Sequence, residues 1–286
     1  MKESLLGGVK IEKTFRRGDK ETKVLDGVSV DIFRGEFTVI MGASGAGKST
    51  LLYALSCMDR VSGGSVTYAG KEISACSEKE LATLRAREFG FVFQQPHLVS
   101  NLMLFENVAV AGYVAKKDEP EAVAAKAEEL LDRMGVNGAK NRFPAEVSGG
   151  EAQRAAIARA MIAGPAILFA DEPTGALNKS NSEEVLDLLS GLGRAGQTIL
   201  MVTHDVRAAI RGSRILYLED GKILDEISLG AWEPGEDRQN LTLAAPAACG
   251  GGKEYESRKE REDRKERESR KEREEKVTAW LSALRW

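Results

Sequence analysis

The residues best equipped for chemistry sit in one short loop, Gly42-Ala-Ser44-Gly45-Ala-Gly47-Lys48-Ser49-Thr50, directly after the apolar run Phe37–Met41. A loop of the form G-x-x-x-x-G-K-[ST] between a strand and a helix cradles phosphate. Its glycines let backbone N–H groups turn inward onto phosphate oxygens, and the following helix adds its positive N-terminal end. Lys48 is suited to reach the β- and γ-phosphates of a nucleotide, and the Ser49 hydroxyl to ligate Mg2+. An incidental glycine turn would not need strand, loop and the apolar helix residues Leu51, Leu52 and Leu55 in this order.

A second group ends the run Ile167-Leu-Phe-Ala-Asp171-Glu172. A carboxylate at the end of a buried strand is costly without a partner. A Mg2+-linked water would supply one for Asp171, and Glu172 is then placed to polarise the water that attacks a γ-phosphate. His204 follows the apolar run Ile199–Val202, at a strand end where an imidazole could meet the same phosphate. Gln94, after Phe91-Val-Phe93, is weaker when taken alone, and His97 reads as structural or surface.

These groups need a scaffold that brings strand ends together. Short β-like runs (37–41, 90–93, 167–170, 198–203) alternate with helical patterns, which predicts an α/β fold with a largely parallel sheet. Apolar residues at helical spacing (Val123, Ala127, Leu130, Leu131, Met134) predict a helix over 122–134, stopped at Gly135. No strong strand signal lies between Pro96 and Pro144, so a helical insertion is expected there. Asp220-Gly221 between two apolar runs predicts a hairpin over 214–227.

Composition sets the outer bounds. The chain has 286 residues, 42% of them hydrophobic and 30% charged, with a net charge of −3. That balance gives no footing for a nucleic-acid surface. Cys57, Cys76 and Cys249 stand at unrelated spacings, fitting neither a disulfide framework nor a zinc site. No apolar run approaches the ~20 residues that span a bilayer. The N-terminus lacks the apolar core of a signal peptide. Any membrane part is therefore expected from another chain.

After Leu229 the character changes. Residues 231–252, rich in Gly, Pro and Ala, read as a linker between a globular part (1–230) and a charged tail (253–286). Arg-Lys-Glu-Arg-Glu recurs at 258, 264 and 270. Glu260–Arg264, Glu266–Arg270 and Glu272–Lys276 are i, i+4 pairs, each adding ~0.2–0.5 kcal/mol to a helix. Without an apolar seam the repeat is not a two-stranded coiled coil. A solitary charged helix and a solvated tether both fit. Val277, Trp280, Leu281 and Leu284 then share one helical face, and Trp286 ends the chain. The repeat could hold that face away from the core, to meet a partner, the membrane surface or a second copy; the alternative is a tether whose end folds back loosely.

Together these motifs resemble the nucleotide-binding subunits of ABC transporters, over residues 8 to 228. Gly42–Thr50 is similar to the Walker A loop, Gln94 to the Q-loop glutamine, and Ile167–Glu172 to Walker B with its catalytic glutamate. Val147-Ser148-Gly149-Gly150-Glu151 resembles the signature loop, with Val and Glu for the usual Leu and Gln. His204 matches the switch histidine. Phe15 stands where an aromatic, usually Tyr, stacks on adenine. Several segments look most like the MacB, lipoprotein-release, FtsE and bacitracin-type exporter branch. The resemblance implies a P-loop (RecA-like) core sheet with an antiparallel β subdomain and a helical subdomain at about 96–165. It implies ATP and Mg2+, the metal held by Ser49, Gln94 and Asp171, and hydrolysis through Glu172, His204 and Gln94. It implies a homodimer at the cytoplasmic face of the membrane, docked on separate permease chains, with each ATP between one copy's Walker A and the other's Ser148–Gly150. There the glycines would leave room for the γ-phosphate. The alternatives are a regulator of a cell-wall hydrolase acting through a membrane partner, and a soluble ABC ATPase. One departure stands out: Asn178 where the D-loop usually ends in Asp, which is expected to slow or uncouple hydrolysis.

Overall fold

The computed structural model describes residues 3–18, 20–230 and 252–284, with the side chains of 17 and 252–267 left undescribed. The expected linker, apart from Gly252, and the terminal Trp286 lie outside the described residues. In chain order the elements are β1 (Ser4–Arg17), β2 (Lys20–Phe33), β3 (Phe37–Met41), α1 (Lys48–Leu55), β4 (Gly63–Tyr68), β5 (Lys71–Glu72), α2 (Glu78–Glu88), β6 (Phe89–Val92), α3 (Leu104–Ala115), α4 (Pro120–Arg133), α5 (Gly149–Met161), β7 (Ile167–Asp171), α6 (Lys179–Arg194), β8 (Thr198–Val202), α7 (Val206–Ala209), β9 (Arg214–Glu219), β10 (Lys222–Ser228) and α8 (Gly252–Ala283).

Two sheets form the frame. One has the order β10-β9-β3-β8-β7-β6. Its β9, β3, β8, β7 and β6 run parallel, and β10 returns antiparallel to β9 through the expected turn at Asp220-Gly221. Strands β3 and β8 are buried at every position, as unbroken apolar runs in a sheet covered on both faces should be. The register matters most for function. Ile40 on β3 and Asp171 on β7 both lie level with Val202 on β8. The three following segments, the phosphate loop, Glu172 and His204, therefore leave the sheet side by side at its carboxyl edge, where open α/β sheets bind ligands.

The second sheet is antiparallel, in the order β2-β1-β4-β5. Its buried Leu5, Leu6, Ile11 and Leu25 share one core with Leu51, Leu52 and Leu55 of α1 and with Ile40. Helix α1 is thus clamped between the sheets with the phosphate loop at its head. Between β6 and β7 the expected helical insertion holds, as α3, α4, two short 3-10 turns and the start of α5. Helix α4 buries Val123, Ala127, Leu130 and Leu131 as the spacing predicted. It begins two residues earlier than expected, at Pro120 in its first turn, where proline's fixed φ suits helix entry.

The charged repeat is helical, but its end does not project away from the core. Val277 and Leu281 are buried with Ala208, Ile210, Ile215 and Tyr217, and Trp280 and Leu284 pack against the same cluster. Trp280 Nε1 donates to Asp225 Oδ2 at 2.8 Å, and its ring meets Tyr217 edge-on at 6.2 Å. Arg270 and Lys276, expected to pair one turn back, reach the globular part, at Glu183 and at the Ser228 carbonyl. The spacer reading is corrected: the apolar face finds its cover within the same chain.

Candidate nucleotide site

The phosphate loop is shaped by its backbone. Gly42 has φ +151°, and a Cβ there would lie 2.0 Å from the Leu218 carbonyl oxygen, so only glycine lets the loop leave β3 beside β9. Helix α1 starts at Lys48; its first-turn N–H groups have no intrahelical acceptor and face the loop mouth. Ser44 and Gly45 are exposed at the rim, while Gly47 and Lys48 are buried. The Lys48 ammonium donates to the Gly42 and Ala43 carbonyls, both at 2.9 Å. Burial lowers its pKa, and the charges of Glu172 and Asp171 oppose that shift. A cation held in this manner, inside a ring of amides, answers to a polyphosphate.

Asp171 ends β7 facing α1. Its Oδ1 accepts from Ser49 Oγ at 2.7 Å. Its Oδ2 accepts from the Tyr53 hydroxyl at 2.6 Å. Ser49 and Tyr53 are one helical turn apart, so both meet the carboxylate from one face of α1. Burial and then the Asp171 contact push the Tyr53 phenol up. Tyr53 did not figure among the sequence candidates; its i+4 spacing from Ser49 was the available signal. A hydroxyl and a single carboxylate suit a hard cation that takes its other ligands from phosphate and water.

The next residue turns sharply. Glu172 adopts φ +47°, a left-handed conformation that costs a non-glycine residue roughly 1–2 kcal/mol. The turn sends its carboxylate sideways toward β8. There Oε1 lies 2.7 Å from His204 Nδ1 and Oε2 accepts from Thr203 Oγ1 at 3.3 Å. The glutamate is mostly buried and the histidine is mostly exposed. Asp205 caps α7 by accepting from the Arg207 N–H at 2.9 Å, which fixes the backbone just beyond His204.

Other candidates are distributed around this centre. Gln94 is exposed and rests over Gly175, where a Cβ would meet its Nε2 at 2.9 Å; it makes no hydrogen bond to Ser49 or Asp171 among the described residues. Phe15 lies opposite Thr22 on β2, near Val24, whose carbonyl borders Gly47. Its ring is half-exposed, with the Lys13 ammonium 5.0 Å from the centroid. Thr50 is half-buried on α1.

Ser148, Gly149 and Gly150 open α5 through a capping box. The Ser148 hydroxyl accepts from the Glu151 N–H at 3.2 Å and donates to the Glu151 carboxylate at 2.8 Å. Gly149 has only ordinary contact with Leu177, but a Cβ on Gly150 would lie 2.6 Å from Asn181. In this chain Gly150 serves the close approach of α5 to α6, a constraint Gly149 does not share. Asn178 caps α6 by accepting from the Asn181 N–H at 3.0 Å. Gln153, also missed in the sequence, is fully buried. Its Nε2 donates to the Phe93 and Pro173 carbonyls, both at 2.8 Å. It ties the segment before Gln94 to the one after Glu172.

Comparison with known proteins agrees with this geometry. Residues 25–175 match the ABC transporter family. The macrolide export ATP-binding/permease protein MacB of Mannheimia succiniciproducens is 43% identical over 216 residues, 76% of this chain and 33% of that protein. MacB 1 of Aeromonas hydrophila is 44% identical over 224 residues, 78% of this chain and 34% of that protein. Dimeric MJ0796, a bacterial ABC transporter cassette, superposes with a TM-score of 0.73 at 36% identity, covering 78% of this chain and 98% of that one. MJ0796 in a dimeric post-hydrolysis state with ADP and Pi aligns equally well, at 35% identity. The fold and site define a P-loop ATPase cassette, and the chain belongs to the ABC transporter family. It spans about a third of the length of the MacB proteins it matches.

Proposed function

We propose that this chain is the ATP-hydrolysing part of a membrane exporter or extraction machine, closing as a homodimer on ATP and driving a permease by mechanical transmission. The observation that carries this reading is the convergence of Lys48, Ser49–Asp171 and Glu172–His204 at three adjacent parallel strand ends. Ser49 and Asp171 hold Mg2+, with Gln94 completing the set as the sheet edge closes. Held there, the cation would supply charge screening for the β- and γ-phosphates. Phe15 stacks on adenine, Gly42–Thr50 wraps the phosphates, and Ser148 and Gly149 of the second copy cover the γ-phosphate. Glu172 accepts a hydrogen bond from the attacking water, and His204, now paired to Glu172, exchanges that contact for the phosphate. Water then adds to the γ-phosphorus as the bond to the β-phosphate oxygen breaks, leaving ADP and phosphate.

The permease reading has its own support. Among the described residues no helix is long and apolar enough to cross a membrane. The helical insertion shows Val110, Tyr113 and Val114 to solvent. Val110 and Val114 border a cavity of about 410 Å³ that is also lined by Phe93, His97 and Arg159, beside Gln94. We place the permease's cytoplasmic segment there, with the chain at the cytoplasmic face. A Glu172→Gln variant should form a stable dimer in ATP and Mg2+, seen by light scattering, and Lys48→Ala on that background should remain monomeric. A monomer in both would overturn the ATP-closed dimer.

A further inference from the structure

Nothing in the nucleotide chemistry calls for helix α8, yet its last four turns are built into the molecule. Arg273 is buried. Its Nε donates to the Ile210 carbonyl at 2.9 Å, its Nη2 to the Gly212 carbonyl, and its Nη1 to the Leu229 carbonyl at 3.1 Å. Burial, reinforced by nearby Arg211, brings its pKa down to about 10, so it keeps its charge at neutral pH. One guanidinium therefore gathers carbonyls from the end of α7, the turn into β9 and the segment after β10. One turn back, Arg270 donates to Glu183 Oε1 at 2.7 Å. The other oxygen of Glu183 accepts from Arg211 at 2.8 Å, and Arg211 also meets Asp187 at 2.9 Å. Val277 and Leu281 seal the contact.

The two elements joined are the ones that leave the hydrolysis site. Helix α7 begins directly after His204-Asp205, and α6 begins directly after Asn178. Helix α7 has four residues. A single turn cannot hold itself together, and the carbonyls of Ile210 and Gly212, just beyond it, need partners from outside. Arg273 provides them, while Arg270 fastens the same patch to α6 through Glu183.

We propose that residues 269–284 act as a brace in cis, with Arg273 and Arg270 as positioning residues that hold the His204 segment against α6 for hydrolysis. Neither arginine touches nucleotide. The brace acts by suppressing local opening of residues 204–212, in the sense that short, weakly packed segments open far more readily than the sheet. The proposal rests on the reading of His204 as a hydrolysis residue, and its test separates the two.

The test is amide hydrogen exchange and steady-state kinetics on the full chain and on Arg273→Ala and Arg273→Lys. In Arg273→Ala the amides of 206–212 should exchange roughly tenfold faster while those of β3 and α1 stay as they are. The kcat should fall about five- to tenfold with KM for ATP little changed, because the phosphate loop is untouched. Arg273→Lys should recover part of both. Unchanged exchange at 206–212 would overturn the brace. Faster exchange there with normal kcat would overturn the positioning role, and protection lost across the whole sheet would mark a merely structural contact and overturn it as well. His204→Ala, measured in parallel, reports on the histidine alone: normal kcat in that variant would sink the reading of His204 while the exchange data still judge the brace.

Discussion

At the residue scale, the carboxylate of Asp171 is held from both sides by one helix, Ser49 on Oδ1 and Tyr53 on Oδ2. Partners that orient a metal-binding group commonly change metal affinity by 10–100-fold when removed. Tyr53→Phe keeps the ring and loses the hydroxyl. Its dimerisation in ATP, followed by light scattering on the Glu172→Gln background, should require about three- to tenfold more Mg2+, with the ATP requirement at saturating Mg2+ unchanged. An unchanged Mg2+ midpoint would make Tyr53 a packing residue. The phosphate loop and Asp171–Glu172 were legible in the sequence because their chemistry is local: a loop, a strand end, a run of named residues. Tyr53 and Gln153 were not, because each acts on a segment more than fifteen residues away, and a tyrosine or glutamine on a helix carries no mark of what it faces.

At the element scale, the parallel sheet followed from short apolar runs alternating with helical patterns, the closing hairpin from Asp220-Gly221 between two apolar runs, and the helical insertion from the missing strand signal between Pro96 and Pro144. The docking of α8 did not. Its charged repeat reads as solvated on every side, and only the tertiary contact shows that Arg273 and Arg270 serve as donors. Glu183 is the hinge of that contact. Burial alone would raise its pKa, but Arg270 and Arg211 outweigh it and hold the carboxylate below its ordinary 4.5. A group with a depressed folded pKa stabilises above its unfolded value, and that contribution is lost as pH falls through the folded value. Glu183→Gln should therefore lower the urea midpoint at pH 7. The gap to the unaltered protein should close at pH values below the ordinary carboxylate range, where Glu183 is protonated and its charge no longer meets Arg211 and Arg270; Asp187 also faces Arg211. A gap independent of pH would show that the pair contributes by shape and not by charge.

At the scale of the whole molecule, the nucleotide site and the proposed permease face are distinct surfaces, linked through Gln94 and Gln153. Val110, Tyr113 and Val114 lie exposed on α3, a helix that carries none of the residues assigned to ATP. Val114→Glu should leave ATP-driven dimerisation of the Glu172→Gln protein unaltered and abolish its co-purification with the permease from native membranes. Loss of dimerisation in that variant would mean the two surfaces are one.

The strand order carries a further consequence, for how such a chain comes into being. Strand β3 finds its neighbours only at β8 and β9, with Phe37 level with Ile199 and Thr38 with Arg214. Pairings this distant in the chain are slow to form and leave apolar strands uncovered meanwhile. During synthesis the phosphate loop therefore has no parallel neighbour until the residues of β8 have cleared the ribosome, its second flank comes only with β9, and α8 can seat only after that. Until then the nascent chain carries apolar strands open to chaperones, and the cassette becomes able to hold nucleotide only once these distant strands have paired.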